Sequence, residues 1–152
     1  MEIKLEDSGI TTMELNNFNE IGDRNWRNEF FNTAFPNSFL VTARADDNKL
    51  TGTQGFMEYK VNYFGRMRLA FRSERTLLSA ECRGKGVFEK QIELGKSELL
   101  KRGGALSFGS TTALKAFKAA GFKVFDGYRV YEFKSFSFLK MVYVTIRLIL
   151  KM

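Results

Sequence analysis

The feature that most limits what this chain can fold into is a change of hydrophobic period near residue 86. Before it, Arg68 to Phe71 and Thr76 to Ala80 read as extended segments. After it, Phe88, Ile92, Gly95 and Leu99 recur at about one-turn spacing between Val87 and Arg102, the pattern of a helix that buries one face. Glu98 stands four residues before Arg102, and Gly103-Gly104 supply a stop. Ala105 to Phe108 follows as a short strand. Extended segment, glycine turn, helix and strand in that order predict a βαβ crossover, and hence a sheet with at least one parallel pair.

The flanks add mostly antiparallel material. Glu2 to Leu5 reads as a first strand. Thr11 or Thr12 caps a helix to about Glu20, and Asp23 caps a second through Asn32, with Trp26 and Phe30 one turn apart. Phe39 to Ala45 and Lys49 to Tyr59 form a hairpin around the acidic turn Asp46-Asp47-Asn48. Asn62 to Gly65 reads as a further turn. Downstream, Ser110 to Ala120 is a helix ended by Gly121, and Phe122 to Phe133 a strand or hairpin around Asp126 and Gly127. The fold class expected is α/β, an α+β mixed sheet in which antiparallel strands precede one crossover. At 152 residues with 44% hydrophobic content, a single domain over 1–152 is expected.

Composition narrows the chemistry. There is no His at all and only one cysteine, Cys82. Ser-His and Cys-His catalysis, His-based general bases and thiolate zinc sites are therefore excluded, and so is an intramolecular disulfide. No metal is expected, and the thiol content fits a reducing cytoplasm. The acidic start carries no signal peptide, and no apolar run reaches the roughly 18 residues of a membrane span. Met141 to Leu150 comes nearest and is interrupted by Arg147. Residues 1–38 carry a net charge of −4 and the remainder +11, which points to an anionic partner for the basic part.

That basic part contains Glu81-Cys82-Arg83-Gly84-Lys85-Gly86-Val87-Phe88. A glycine turn that leads from a strand into a helix suits phosphate, because small residues let the backbone approach an anion and the first helical N–H groups donate to it. The segment is not a Walker A loop, since Lys85 is followed by Gly86. It is not a dinucleotide fingerprint, since Glu89 stands at the third glycine. It also departs from the RNA-recognition pattern, with Lys85 and Val87 where base-stacking aromatics belong.

The segment resembles the Q/R-x-x-G-x-G/A signature of the GNAT superfamily of N-acetyltransferases, with Arg83 first, Gly86 fourth and Phe88 replacing the last small residue. A second family pattern, N-x-x-A-x-x-x-Y-x-x-x-G-F, is met downstream by Ser110, Ala113, Phe117, Gly121 and Phe122. Within the superfamily, the aromatic-rich approach to the turn looks like bacterial members associated with surface polysaccharide synthesis.

The resemblance implies acetyl-CoA as co-substrate. Arg83, Gly84, Lys85, Gly86, Val87 and Phe88 would wrap its pyrophosphate, mainly through main-chain N–H groups. Leu77, Leu78 and Ser79 would pair with pantetheine as an added strand, and the N–H near Leu78 would polarise the thioester carbonyl. Ser110 stands where an Asn usually contacts pantetheine, and Phe117 where many members carry an acid Tyr. Glu74 is the candidate base. Glu58 and Tyr59 are weaker candidates, and Tyr128 or Tyr131 could replace the missing phenol.

The expected activity is acetyl transfer to a primary amine of a small molecule such as an amino sugar, by a cytoplasmic protein, with a homodimer as an open alternative to a monomer. A catalytically weak or inactive CoA-binding regulatory module is the competing reading, supported by Phe88, Ser110 and Phe117. Nucleic acid is the least favoured partner, because Phe supplies none of the charge that dominates such binding.

Overall fold

The computed structural model describes residues 1–6, 14, 18, 34–109, 111 and 113–124. The chain divides into two units, Met1–Phe122 and Lys123–Met152, and the architecture below is that of the first. Its elements are β1 (Glu2–Glu6), β2 (Phe39–Arg44), β3 (Leu50–Tyr63), β4 (Arg66–Leu78), a 3-10 turn (Ala80–Cys82), α1 (Val87–Lys101), β5 (Leu106–Phe108) and α2 (Leu114–Ala119). The strands form one five-stranded mixed sheet in chain order. The first four are antiparallel neighbours, and β5 returns parallel to β4 through α1. This is the expected crossover.

Antiparallel partners share a face, so the register decides which residues meet the helix. Phe39 pairs with Phe56, and both join Val41 and Phe71 beneath Phe88, Ile92 and Leu99 of α1. The Phe39 and Phe56 rings stack at 5.0 Å. Gly95 makes the close approach possible, since a Cβ there would lie 2.2 Å from the Phe56 ring. On the opposite face Leu40 and Leu50 are buried with Met57, Leu77 and Phe18 against them.

A buried ion cluster ties β1 to β2. Arg44 donates through Nε and Nη2 to Glu6 Oε1 (3.4 and 3.3 Å) and through Nη1 to Glu14 (2.9 Å) and the Asn48 carbonyl (3.0 Å). Burial on its own lowers the Arg44 pKa, but the hydrogen bonds and charges of Glu14 and Glu6 together outweigh it and the net shift is upward. A raised cation pKa adds stability that is lost only as pH rises past it, so the Arg44 guanidinium stays charged across the working range.

Several boundaries differ from expectation. Arg68–Phe71 and Thr76–Leu78 are parts of one long strand, because β3 continues past Tyr59 to Tyr63 and pairs with β4 along the hairpin, while Ser79 and Ala80 leave it for the 3-10 turn. The helix expected from Ser110 begins only at Leu114. Thr111 Oγ1 accepts the Ala113 N–H at 2.9 Å, a local bond that competes with helix initiation. Phe122 to Val124 are not in a strand. The two N-terminal helices and the strand beyond Val124 lie outside the described residues, apart from Glu14 and Phe18, whose backbones are helical.

Candidate active site

The site forms where β4 outruns its parallel neighbour. β4 and β5 pair at Ala70↔Leu106, Phe71↔Ser107 and Arg72↔Phe108. Gly109 still lies close to β4, since a Cβ there would be 2.8 Å from the Ser73 carbonyl oxygen. From there β4 continues to Leu78 with no strand on that side among the described residues.

Inside this free stretch the strand carries a bulge. The β3–β4 register passes from Gly55↔Glu74 to Thr53↔Leu77, so β4 holds one extra residue, and Arg75 has a left-handed φ of 54°. A bulge of this kind reverses the in-out alternation that follows it. Ser73 and Thr76 therefore present to the same face, and Gln54 spans them. Its Nε2 donates to Ser73 Oγ at 2.8 Å, and its Oε1 accepts from Thr76 Oγ1 at 2.6 Å. Thr53 Oγ1 donates to the Arg75 carbonyl at 2.9 Å. Gln54 and Thr53 are wholly buried, so the bulge is held from beneath by a saturated polar clasp.

The bulge sets the backbone of Leu77, Leu78 and Ser79. The Ser79 N–H donates to the Thr51 carbonyl across the sheet at 2.9 Å. Main-chain groups of an antiparallel strand alternate sides, so the N–H and C=O of Leu78 face the open edge. Arg83 Nε reaches back to the Leu78 carbonyl at 3.3 Å and ties the glycine turn to that edge.

Gly84 and Gly86 both adopt left-handed φ, 71° and 70°, and nothing lies within 4 Å of a Cβ built on either. The conformation, rather than crowding, is what calls for glycine here. Gly86 caps α1, and the first intrahelical donor is Lys90, whose N–H reaches the Gly86 carbonyl at 3.2 Å. The N–H groups of Val87, Phe88 and Glu89 thus have no acceptor one turn earlier, which leaves the positive end of the helix dipole beside the open edge. Arg83, Gly84 and Lys85 are exposed.

The side chains of Val87 and Phe88 are not available to a ligand. They are 1% and 6% exposed and belong to the core, so a contact from either must come from the main chain. Phe117 is likewise a core residue, with its ring 5.0 Å from Phe88 and 5.2 Å from Phe122. A ring at 88, where the family signature has a small residue, is thus accommodated by an aromatic cluster, and burial holds Phe117 inside it.

The acid–base candidates differ in what holds them. Glu74 lies one residue before the bulge, with Oε1 2.9 Å from Arg72 Nε. Glu58 is buried and accepts from the backbone N–H (3.0 Å) and Nδ2 (3.2 Å) of Asn37, so its carboxylate anchors the chain entering β2. Tyr59 is exposed, its hydroxyl accepts from Arg72 Nη1 at 3.4 Å, and its ring meets Phe108 edge-on. Ser110, Tyr128 and Tyr131 lie outside the described residues. The bulge and its Gln54 clasp were not anticipated. Polar Thr51, Thr53 and Gln54 in a buried strand were the only sequence trace, and a bulge arises from an offset between two strands that neither segment reveals alone.

No protein-family model and no curated protein matches the sequence. Solved structures do match. An aminoglycoside N-acetyltransferase in complex with CoA aligns over 88% of this chain and 100% of its own, with a TM-score of 0.70 at 14% identity. A ribosomal-protein-alanine N-acetyltransferase from Brucella melitensis aligns over 88% and 100%, with a TM-score of 0.68 at 14% identity. A glucosamine-6-phosphate N-acetyltransferase from Arabidopsis thaliana aligns over 90% and 100%, with a TM-score of 0.62 at 13% identity. The chain has the GNAT N-acetyltransferase fold. In GNAT terms, the open edge of β4 and the glycine turn are the parts that the sequence resemblance assigned to the co-substrate. Among the described residues no helix is long and apolar enough to cross a membrane.

Proposed function

We propose that this chain is an N-acetyltransferase that moves an acetyl group from acetyl-CoA to a primary amine of a small molecule, with the whole of 1–152 acting as one domain. The observation that carries this reading is the junction of three main-chain features. These are the free edge of β4 at Leu78, the left-handed pair Gly84 and Gly86, and the unpaired N–H groups opening α1. The edge suits the amides of pantetheine, which can add to it as a strand does. The turn and helix start suit the pyrophosphate. Lys85 and Arg83 add positive charge.

In the reaction, the amine nitrogen attacks the thioester carbonyl carbon and the oxygen takes the negative charge. The Leu78 N–H is the donor for that oxygen. Collapse expels the CoA thiolate, while the amine proton passes to Glu74 directly or through water. An amino sugar of the bacterial surface-polysaccharide type is the acceptor class we favour, and the protein would act in the cytoplasm.

A second reading is a CoA-binding module without transfer activity. Phe117 favours it, because its ring lies in the core and carries no hydroxyl to protonate a departing thiolate.

Acetyl-CoA should raise the melting temperature. A ligand held only by the native state at about 100 times its Kd adds about 2.7 kcal/mol, or roughly 5–10 °C for a chain of this size. Gly86→Asp should abolish the shift, since it sets a carboxylate where the pyrophosphate is expected. No shift at millimolar acetyl-CoA would remove both readings. A shift without thiol release across amino sugars, polyamines and amino acids would favour the second.

A further inference from the structure

The β3–β4 hairpin extends well past its neighbours. β2 pairs with β3 no further than Phe56, and β5 meets β4 no nearer the tip than Ala70. Beyond the Tyr59↔Ala70 pair, four more rungs run through Lys60↔Leu69, Val61↔Arg68, Asn62↔Met67 and Tyr63↔Arg66. At about 3.4 Å per residue this is an arm of roughly 14 Å. Its two-residue turn is Phe64-Gly65, with φ of 49° and 76°.

Two independent observations set this arm apart. The first is the apex. Positive φ at both turn residues is the signature of a type I′ turn, where Asn, Asp or Gly is favoured at the first position. Phe64 stands there instead, 89% exposed, with Tyr63 edge-on to it at 4.6 Å and Met67 63% exposed nearby. A bulky ring in left-handed conformation is disfavoured locally, and the edge-on contact with its neighbour Tyr63 leaves the Phe64 ring almost wholly in solvent. Strain retained at an exposed position is the kind found at binding sites.

The second is charge. Lys60, Arg66 and Arg68 are exposed on the arm, and the sequence from Tyr59 to Ser73 contains no carboxylate. Along the arm Phe64 stands foremost at the apex, Tyr63 and Arg66 share the last rung, and Met67, Arg68 and Lys60 follow behind. That order fits the interface of an anionic bilayer, where rings enter the headgroup and upper acyl region while cations stay level with the phosphates. A nucleic acid would call for the cations foremost.

We propose that the hairpin tip docks on an anionic lipid surface, with Phe64, Tyr63 and Met67 entering the interface and Lys60, Arg66 and Arg68 meeting lipid phosphates. It is a peripheral contact and needs no spanning segment. It stands independently of the acetyltransferase reading, because none of these residues belongs to the candidate site.

The test is sedimentation of the full-length protein with vesicles of phosphatidylcholine alone and with 30% phosphatidylglycerol, about 0.1 M salt. Three cations near such a surface should favour the anionic vesicles by roughly 100-fold, and by less as salt rises. Lys60→Gln/Arg66→Gln/Arg68→Gln should remove that preference, and Tyr63→Ser/Phe64→Ser should weaken binding at least 10-fold with the melting temperature retained. In Phe64→Trp, anionic vesicles should cause a blue shift of emission absent from the wild type, which marks entry of the apex. Failure to bind anionic vesicles, equal binding to both compositions, or unaltered binding in the Ser pair would each overturn the proposal. So would Phe64-dependent self-association or binding to single-stranded RNA in place of vesicle binding.

Discussion

Replacing Gly95 with Ala tests how tightly the crossover helix is seated. In an exposed helix this change would stabilise by about 1 kcal/mol through propensity. Here the new methyl would sit 2.2 and 2.3 Å from two ring carbons of Phe56. Carbon pairs prefer about 3.5 Å or more, so ring and helix must separate by roughly 1.3 Å. The ring cannot swing aside freely, because Phe56 is 0% exposed and stacked on Phe39. Overpacking of this kind costs about 1–3 kcal/mol, occasionally more. An overlap of roughly 1.3 Å against a fixed ring belongs in the upper part of that range, about 2–3 kcal/mol, so after the propensity gain a net loss of about 1–2 kcal/mol remains, or roughly 2–8 °C in melting temperature. Urea unfolding should show a lower midpoint with unchanged slope. The double variant Gly95→Ala/Phe56→Leu should recover at least half of the loss, since the smaller side chain vacates the contested space. A single variant as stable as the wild type would refute the close seating of α1 on Phe56.

Other consequences are more local. Arg44→Met should destabilise the protein by about 3–5 kcal/mol, because it leaves the buried Glu6 carboxylate with only the Lys4 ammonium at 3.4 Å and the Thr42 hydroxyl at 3.2 Å among the described residues; adding Glu6→Gln should restore part of that in urea titrations. Gln54→Leu should cost about 1–3 kcal/mol by stranding the Ser73 and Thr76 hydroxyls. If the clasp holds the bulge in shape, the same variant should also weaken acetyl-CoA binding at least 10-fold by calorimetry. Affinity equal to the wild type would show that the bulge keeps its form without Gln54.

Much of the frame was already written in local sequence. The period of Phe88, Ile92, Gly95 and Leu99 specifies a helix whatever surrounds it, and Gly84 and Gly86 meet a demand for left-handed backbone that few other residues satisfy. The hairpin around Asp46-Asp47-Asn48 is likewise local turn chemistry. Such features depend on residues a few positions apart, and so they survive translation into sequence patterns. Tertiary structure decided the rest. The bulge at Arg75 exists only as an offset between β3 and β4, and the single length of β4 only through its pairing with β3. Phe117 and Phe88 read as site positions in the motif, yet each is drawn into the core because burying a ring against other rings outweighs exposing it at an edge. Glu58 looked free to act as a base until the fold brought Asn37, 21 residues away, against its carboxylate. Pattern specifies which backbone a segment adopts, but which atoms remain available for chemistry depends on partners that only the folded chain brings within reach.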